Sequence, residues 1–461
     1  MAAAAAALDI AEIPFSDLAL LLSPEEAAAT DGDRLRRVLA TVGAELGRGG
    51  PGLLAVAGVP RAGALRRRLL PLARRLALMD HPTRALLLKK HGLGSDVALK
   101  KLDRPVSSFA QLLRHSGDLH LLESMSSTTE GTTIGCTAQT TIDGFEDPGK
   151  SSDDDIEHLG ELVKELGLCM MELGILVARA CDMVIGGGQL EDSIAEFGTA
   201  KARLIHYHSE FDSIVIKGSS TKGKSWERKA TVKPHQLYSQ SSVSEGASRI
   251  DSDDEAAVTE GRENVSKDVS VSLSNLWQEW HYDYGIFTVL TAPLFSRASM
   301  GEECLMSQEC HPPDGHTHLQ LCSGRKMRSV RCSPESFIVQ VGEAADILSG
   351  GKLRSTLHAV SRPLGFTDIS RETFVVFLQP SWDKTLTSSC SSNAEDESSD
   401  DKDMATSDKS ARSCYEDALM QEILKKIPPL SSRLKEGMTF AEFSRQTTRQ
   451  YYGSGGIQQK G

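Results

Sequence analysis

A chain of 461 residues with 51 Lys and Arg against 63 Asp and Glu carries a net charge of −12. That balance argues against non-specific binding to nucleic acid or an anionic membrane, which rests on clustered cations. The 39% hydrophobic share is low for a length that suggests two or three domains, so disordered segments are expected.

The Ala-rich start carries Asp9 and Glu12 without the basic segment of a signal or transit peptide. Residues 13–18 read as a short strand and a turn, 35–46 as a helix, and 52–60 as a buried strand. Residues 65–79 read as a helix with a kink expected at Pro71. Arg66, Arg67, Arg68, Arg74 and Arg75 on that helix read as a solvated face, with a phosphate site the weaker reading. Residues 128–155 are polar and irregular, and end in three aspartates suited to a helix N-terminus. A long apolar helix over 156–185 follows, with Met170 and Met171 as core filler, and Gly186, Gly187 and Gly188 end it. Residues 202–208 read as a strand holding His206 and His208, taken as ordinary strand histidines.

Residues 218–268 are rich in Ser, Lys and Glu with almost no large apolar side chains, and are expected to be disordered. Residues 277–290 then read as a strand, a bend at Gly285 and a second strand. The run 337–348 followed by 349–360 reads as a strand, a short turn-rich connection and another strand bearing His358, followed by an apolar strand opening with Arg371 and Thr373. Residues 387–413 form a second Ser-rich, acidic stretch, and 415–427 and 439–451 look helical.

On a strand, residues two apart share a face, so His281 and Asp283 present an imidazole and a carboxylate side by side. With His358 from a neighbouring strand they make the facial set that holds non-haem Fe(II) and leaves coordination positions open. Competing chemistry is thinner. Cys304, Cys310, His311, His316, His318, Cys322 and Cys332 crowd one segment, but their spacings fit no compact zinc knuckle. No Gly-X-Ser-X-Gly elbow supports a hydrolase. Nine cysteines without regular pairing suit a reducing compartment, so cytoplasmic residence is expected, with the nucleus left open. No apolar run approaches the ~20 residues that span a bilayer.

The run His281-Tyr282-Asp283-Tyr284-Gly285, then Val341-Gly342-Glu343, Leu357-His358-Ala359-Val360 and Arg371-Glu372-Thr373 resembles, in order, the motifs of the 2-oxoglutarate- and iron(II)-dependent oxygenases. The similarity is to the plant-type, isopenicillin-N-synthase-like members, which carry His-Thr-Asp-Tyr-Gly, Ile-Gly-Asp, Leu-His-Arg-Val and Arg-X-Ser. It extends loosely over roughly the first 380 residues. The resemblance implies an α+β protein: a double-stranded β-helix (jelly-roll) barrel with a helical N-terminal scaffold and C-terminal helices. It also implies Fe(II) as cofactor with 2-oxoglutarate and O2 as cosubstrates, and hydroxylation-type oxidation of a small organic molecule coupled to decarboxylation to succinate and CO2. Asp283, where halogenating relatives leave the position open, fits hydroxylation.

Within that resemblance Arg371 clamps the distal carboxylate of 2-oxoglutarate, and Thr373 stands where the family has Ser. Tyr207 falls on the second Tyr of the family's Arg-Ile-Asn-Tyr-Tyr-Pro, although Ile205 replaces the Asn and His208 the Pro. Other departures are Gln340 and Glu343 in place of Asn and Asp, and a longer loop between His358 and Arg371. The organisation expected is an α/β scaffold over 1–127, a polar insertion over 128–155, the long helix and first barrel strands over 156–217, and a disordered insertion over 218–268. The jelly-roll core then spans 269–382, an acidic linker 383–413 and a helical tail 414–461. The expected partner is a small-molecule substrate, with neither nucleic acid nor membrane, and a protein partner is open through the insertions or the C-terminal helices. The alternative is a non-catalytic or regulatory protein on an oxygenase-like barrel.

Overall fold

The computed structural model describes residues 6–115, 153–219, 272–298, 307–323, 326–387 and 411–452; the expectations for 128–152, for most of 218–268 and for most of 387–413 lie outside them. The strands are β1 (Ala6–Asp9), β2 (Glu12–Pro14), β3 (Leu53–Ala57), β4 (Val106–Arg114), β5 (Thr199–Tyr207), β6 (Leu276–His281) and β7 (Phe287–Thr291). They continue with β8 (Leu294–Ala298), β9 (Ser307–Cys310), β10 (Leu319–Ser323), β11 (Lys326–Arg331), β12 (Phe337–Val341), β13 (His358–Ser361) and β14 (Ile369–Leu378). The smaller sheet runs β1-β11-β10-β13-β6. The larger runs β2-β3-β12-β7-β14-β5-β4, with β8 and β9 continuing beside β14. From β6 onward the chain passes back and forth between the two sheets, which makes the fold a double-stranded β-helix.

Strand periodicity divides the core in two. Phe337, Val339 and Val341 of β12 and Phe374, Val376 and Leu378 of β14 point to the helical side. There they pack on the helices Gly32–Leu46, Ala62–Leu78 and Leu159–Ile185. Leu159–Ile185 is buried around most of its circumference, and Gly174 lets it come close, since a Cβ there would lie 2.1 Å from Leu378 Cδ1. The alternate residues Ile205, Tyr207, Leu290, Ile338 and Val375 point inward and meet Trp277, Leu319, Leu321, Val330 and Val360 of the smaller sheet. This second cluster fills the barrel below the metal candidates. A third cluster seals the outside of the smaller sheet, where Leu419, Met420, Ile423 and Ile427 of the tail pack on Trp280, Met327, Leu357 and Ala359. The tail helices Ala411–Lys426 and Phe440–Tyr452 thus lie against the barrel.

Several local expectations change. β6 stops at His281, so Asp283 sits in the bend and not on the strand. Residues Glu343–Leu348 form a helix where a strand and a turn-rich connection were expected, and Phe15–Leu18 is a helical turn. The tail helix begins at Ala411, inside the stretch read as linker. The Arg66–Arg75 pattern is no solvated face. Arg66 and Arg74 are buried, and Arg66 donates to the carbonyls of Ala292 and Pro293, both at 2.9 Å. Arg67 and Arg68 do face solvent, paired with Glu335 and Asp155. The N-terminal segment adds β1 to one sheet and β2, β3 and β4 to the other, so both sheets are shared across residue 127. No described helix is long and apolar enough to cross a membrane.

Candidate active site

His281 and His358 are cross-strand partners on β6 and β13, with ring centroids 4.2 Å apart. The chain turns directly after His281, and two glycines permit the turn. A Cβ on Gly342 would lie 2.3 Å from the Gly285 carbonyl oxygen, and one on Gly285 2.6 Å from that of Leu378. The bend carries Asp283 back over the histidines: its Oδ1 lies 3.8 Å from His281 Nε2 and its Oδ2 3.8 Å from His358 Nε2. Bend geometry, not strand alternation, therefore brings the three ligand types together.

The surroundings prepare the Nε2 atoms. His281 Nδ1 donates to the Glu279 carbonyl (2.7 Å) and His358 Nδ1 to that of Thr356 (3.0 Å), a tautomer that leaves each Nε2 lone pair for a metal. The Gln340 side-chain nitrogen lies 2.8 Å from the same His358 Nδ1 and 3.3 Å from its Nε2, so it packs on a ring whose Nδ1 proton goes to Thr356, and Thr288 Oγ1 donates to Asp283 Oδ2 (2.6 Å). Burial, with His358 alongside, pushes His281 down to about 4, so this ring is neutral and ready to ligate at neutral pH. Two imidazoles and one carboxylate on one side of an ion fit a divalent transition metal with open positions. Sequence reading had noted Gln340 only as a departure and had missed Thr288, which no motif marks.

Arg371 is 2% exposed, on β14 opposite Tyr207 of β5 and Phe295 of β8. Its Nε donates to the Thr317 carbonyl (3.0 Å), and its guanidinium carbon lies 5.1 Å from the Tyr207 ring centre. Burial lowers its pKa, and among the described residues no carboxylate lies within ion-pair distance of it. A buried guanidinium without a carboxylate is costly unless an anion completes it. Tyr207 is buried against Trp277, with ring centroids 5.7 Å apart. Thr373 shares the inward face with Arg371, but its hydroxyl is engaged with Thr291, 3.3 Å from both the carbonyl and the side-chain oxygen.

His206 and His208 lie away from the metal candidates, in a buried polar layer. His206 Nδ1 pairs with Glu372 (2.8 Å) and its Nε2 with Asp212 (3.3 Å), which also takes Arg74 (2.9 Å). Burial alone would lower His206, but its bonds to Asp212 and Glu372 prevail and raise it. Its neighbour His208, beside Ser107 (2.9 Å), is pushed down to about 2 by burial and then by His206 and Arg104. The signs follow from linkage. A folded His208 that stays neutral contributes stability above its unfolded value near 6.5, and that stability is lost as pH falls toward its folded value. His206 acts oppositely: its contribution is present below about 6.5 and lost as pH rises through the raised value. Urea unfolding between about pH 6.5 and 4.5 should therefore lose about 1 kcal/mol per pH unit through His208. His208→Gln should flatten that slope, and equal slopes in the two proteins would refute the assignment.

One contact near the site was invisible to sequence reading. Glu343, whose backbone N–H donates to the Asp283 carbonyl (2.8 Å), receives both guanidinium ends of Arg433 at 2.5 and 2.6 Å. Both side chains are buried, and Arg433 lies between the rings of Phe443 and Tyr451, 5.8 and 5.5 Å from their centres. Tyr451 Oη also accepts the Tyr282 N–H (3.4 Å). The tail therefore grips the bend that carries Asp283.

No family model matches the chain, and no curated protein matches it. Solved structures do. A full-length Neurospora crassa protein in complex with alpha-KG and thymine is 15% identical, over 90% of this chain and 96% of that one, with a TM-score of 0.44. The rice dioxygenase for auxin oxidation is 16% identical over 82% and 85%, with a TM-score of 0.41. A putative 2OG-Fe(II) oxygenase family protein from Caulobacter crescentus is 12% identical over 90% and 98%, also at 0.41. These are likenesses of chain path.

Proposed function

We propose that the protein is an Fe(II)- and 2-oxoglutarate-dependent dioxygenase that couples oxidative decarboxylation of 2-oxoglutarate to hydroxylation-type oxidation of a small organic molecule. One observation carries the reading: a single barrel interior holds a His-His-carboxylate set, with both Nε2 atoms 3.8 Å from the Asp283 oxygens, and a buried arginine with no carboxylate within ion-pair distance among the described residues. When bound, Fe(II) supplies the activation of O2. His281, Asp283 and His358 would hold the ion, with open positions remaining for the 2-oxoacid. Thr288 and the Thr356 carbonyl would keep Asp283 and His358 turned toward the ion. Arg371, its Nε anchored on the Thr317 carbonyl and its guanidinium beside Tyr207, would pair with the distal carboxylate of 2-oxoglutarate. Thr373 lines the same face. Leu290, Ile338, Val360 and Val375 keep the interior dry, which strengthens the charge-assisted bonds to the cosubstrate.

Fe(II)-loaded protein should release succinate from 2-oxoglutarate in air, slowly without substrate and faster with it. Binding of 2-oxoglutarate with no succinate under any condition would favour the non-catalytic alternative. Arg371→Lys keeps the charge but loses the fork. It should weaken 2-oxoglutarate by about 1–3 kcal/mol, roughly 5- to 150-fold, in a calorimetric titration. Unchanged affinity would remove Arg371 from the site.

A further inference from the structure

Outside the site just described, one segment gathers metal-binding side chains. The stretch His311-Pro312-Pro313-Asp314-Gly315-His316-Thr317-His318 leads into β10, and its ligand-type atoms on Asp314, His316 and His318 lie within 4.8 Å of one another. Asp314 Oδ2 is 3.8 Å from His318 Nε2, the same separation that Asp283 keeps from each of its histidines. The His316 and His318 rings lie side by side at 4.4 Å. Backbone strain holds this convergence. Asp314 and His318 have φ of 61° and 58°, two of the three non-glycine residues at positive φ among the described residues. Each costs of order 1 kcal/mol and persists only where surrounding bonds fix it. Here Thr317 donates twice to the Val330 carbonyl, through N at 3.0 Å and Oγ1 at 2.7 Å, and the Ser361 N–H donates to the His318 carbonyl at 3.0 Å.

We propose that Asp314, His316 and His318 form a second metal site, separate from His281, Asp283 and His358, which takes a divalent transition metal of the zinc type. Two imidazoles with one carboxylate suit zinc completed by water better than calcium or magnesium, which prefer all-oxygen shells. Asp314 is exposed and opens the site to solvent, while His318 is 2% exposed and packs edge-on to Phe295 at 5.5 Å. Without metal the His318 Nε2 donates to the Pro313 carbonyl (3.1 Å) and its Nδ1 faces Ser361 Oγ (3.3 Å). Loading exchanges the first contact for the metal, and the ring proton moves to Nδ1, where Ser361 accepts it. The weak His318 N–H to His316 Nδ1 contact (3.2 Å) is the other bond the loop can give up. Thr317, between the two histidines, is the residue whose carbonyl anchors Arg371. On the reading of Arg371 as the cosubstrate clamp, a metal here stiffens the loop that sets its orientation.

The test removes the first site. Full-length His281→Ala/His358→Ala protein, stripped with chelator and dialysed against zinc, should retain about one zinc per chain. Adding His316→Ala, or separately Asp314→Asn at the exposed ligand, should weaken that zinc at least about 10-fold in a competitive titration, with circular dichroism unchanged. A double variant that retains no zinc would overturn the proposal. So would a zinc that survives both added substitutions, which would then belong to other ligands. Neither result depends on 2-oxoglutarate or turnover, so failure here is distinguishable from failure of the oxygenase reading.

Discussion

His358→Ala should strip the protein of its catalytic-site iron. On the proposed reading His358 would supply one of three protein ligands, and its loss leaves His281 and Asp283 on one short arm of chain at the bend. Substitutions in the shell behind a metal site cost about 10- to 100-fold in affinity, so loss of a ligand itself should cost more than about 100-fold, or some 3 kcal/mol. Anaerobic protein loaded with Fe(II) and desalted should hold close to one iron at this site in the wild type and a small fraction in the variant. A metal at Asp314, His316 and His318 would be insensitive to this change, so the iron contents are compared in a His316→Ala background without added zinc. Equal iron in the two proteins would dismiss the triad.

Arg433→Met should be the most destabilising single change in the tail. Glu343 is 4% exposed, and Arg433 satisfies both of its oxygens. Burial raises the Glu343 carboxyl and Arg433 opposes that rise, so without Arg433 the group is left buried and either charged and unpaired or protonated and unbonded. Breaking a buried pair from one side costs about 3–5 kcal/mol, whereas replacing both partners with groups of similar volume can be nearly neutral. Glu343→Met/Arg433→Met should therefore recover most of the stability that Arg433→Met loses, measured by chemical denaturation as a double-variant cycle. Because Glu343 also bonds the Asp283 backbone, the single variant should lose iron affinity as well. A loss under about 1 kcal/mol in Arg433→Met would show that the pair is no lock.

What could be read from sequence and what could not divide along a physical line. The strands around His281, His358 and Arg371 were legible because their β-branched and aromatic runs are local signals. The order of the short motifs around them singled out His281, Asp283, His358 and Arg371 as candidates. Asp283 was placed beside His281 for an incomplete reason: alternation along a strand suggested it, whereas the bend at Gly285 and Gly342 delivers it. The helix Glu343–Leu348 was hidden because six residues offer too few turns for helical periodicity to show. Pairings across the fold were beyond reach. Arg74 meets Asp212 from 138 residues away and Arg433 meets Glu343 from 90, and nothing local distinguishes such arginines from solvated ones. Arg66 shows the same limit, since its partners are backbone carbonyls that no side-chain pattern reports.

The central claim is that one barrel binds a metal and a 2-oxoacid together, and an anaerobic calorimetric titration of 2-oxoglutarate into the full chain tests it most directly. With Fe(II) present, saturable binding near one equivalent is expected. Binding should fall at least about 10-fold when the metal is removed or His358 is replaced by Ala, because the 2-oxoacid end then loses its chelate. Binding of 2-oxoglutarate that is indifferent to the metal, or absent from iron-loaded wild-type protein, would contradict it.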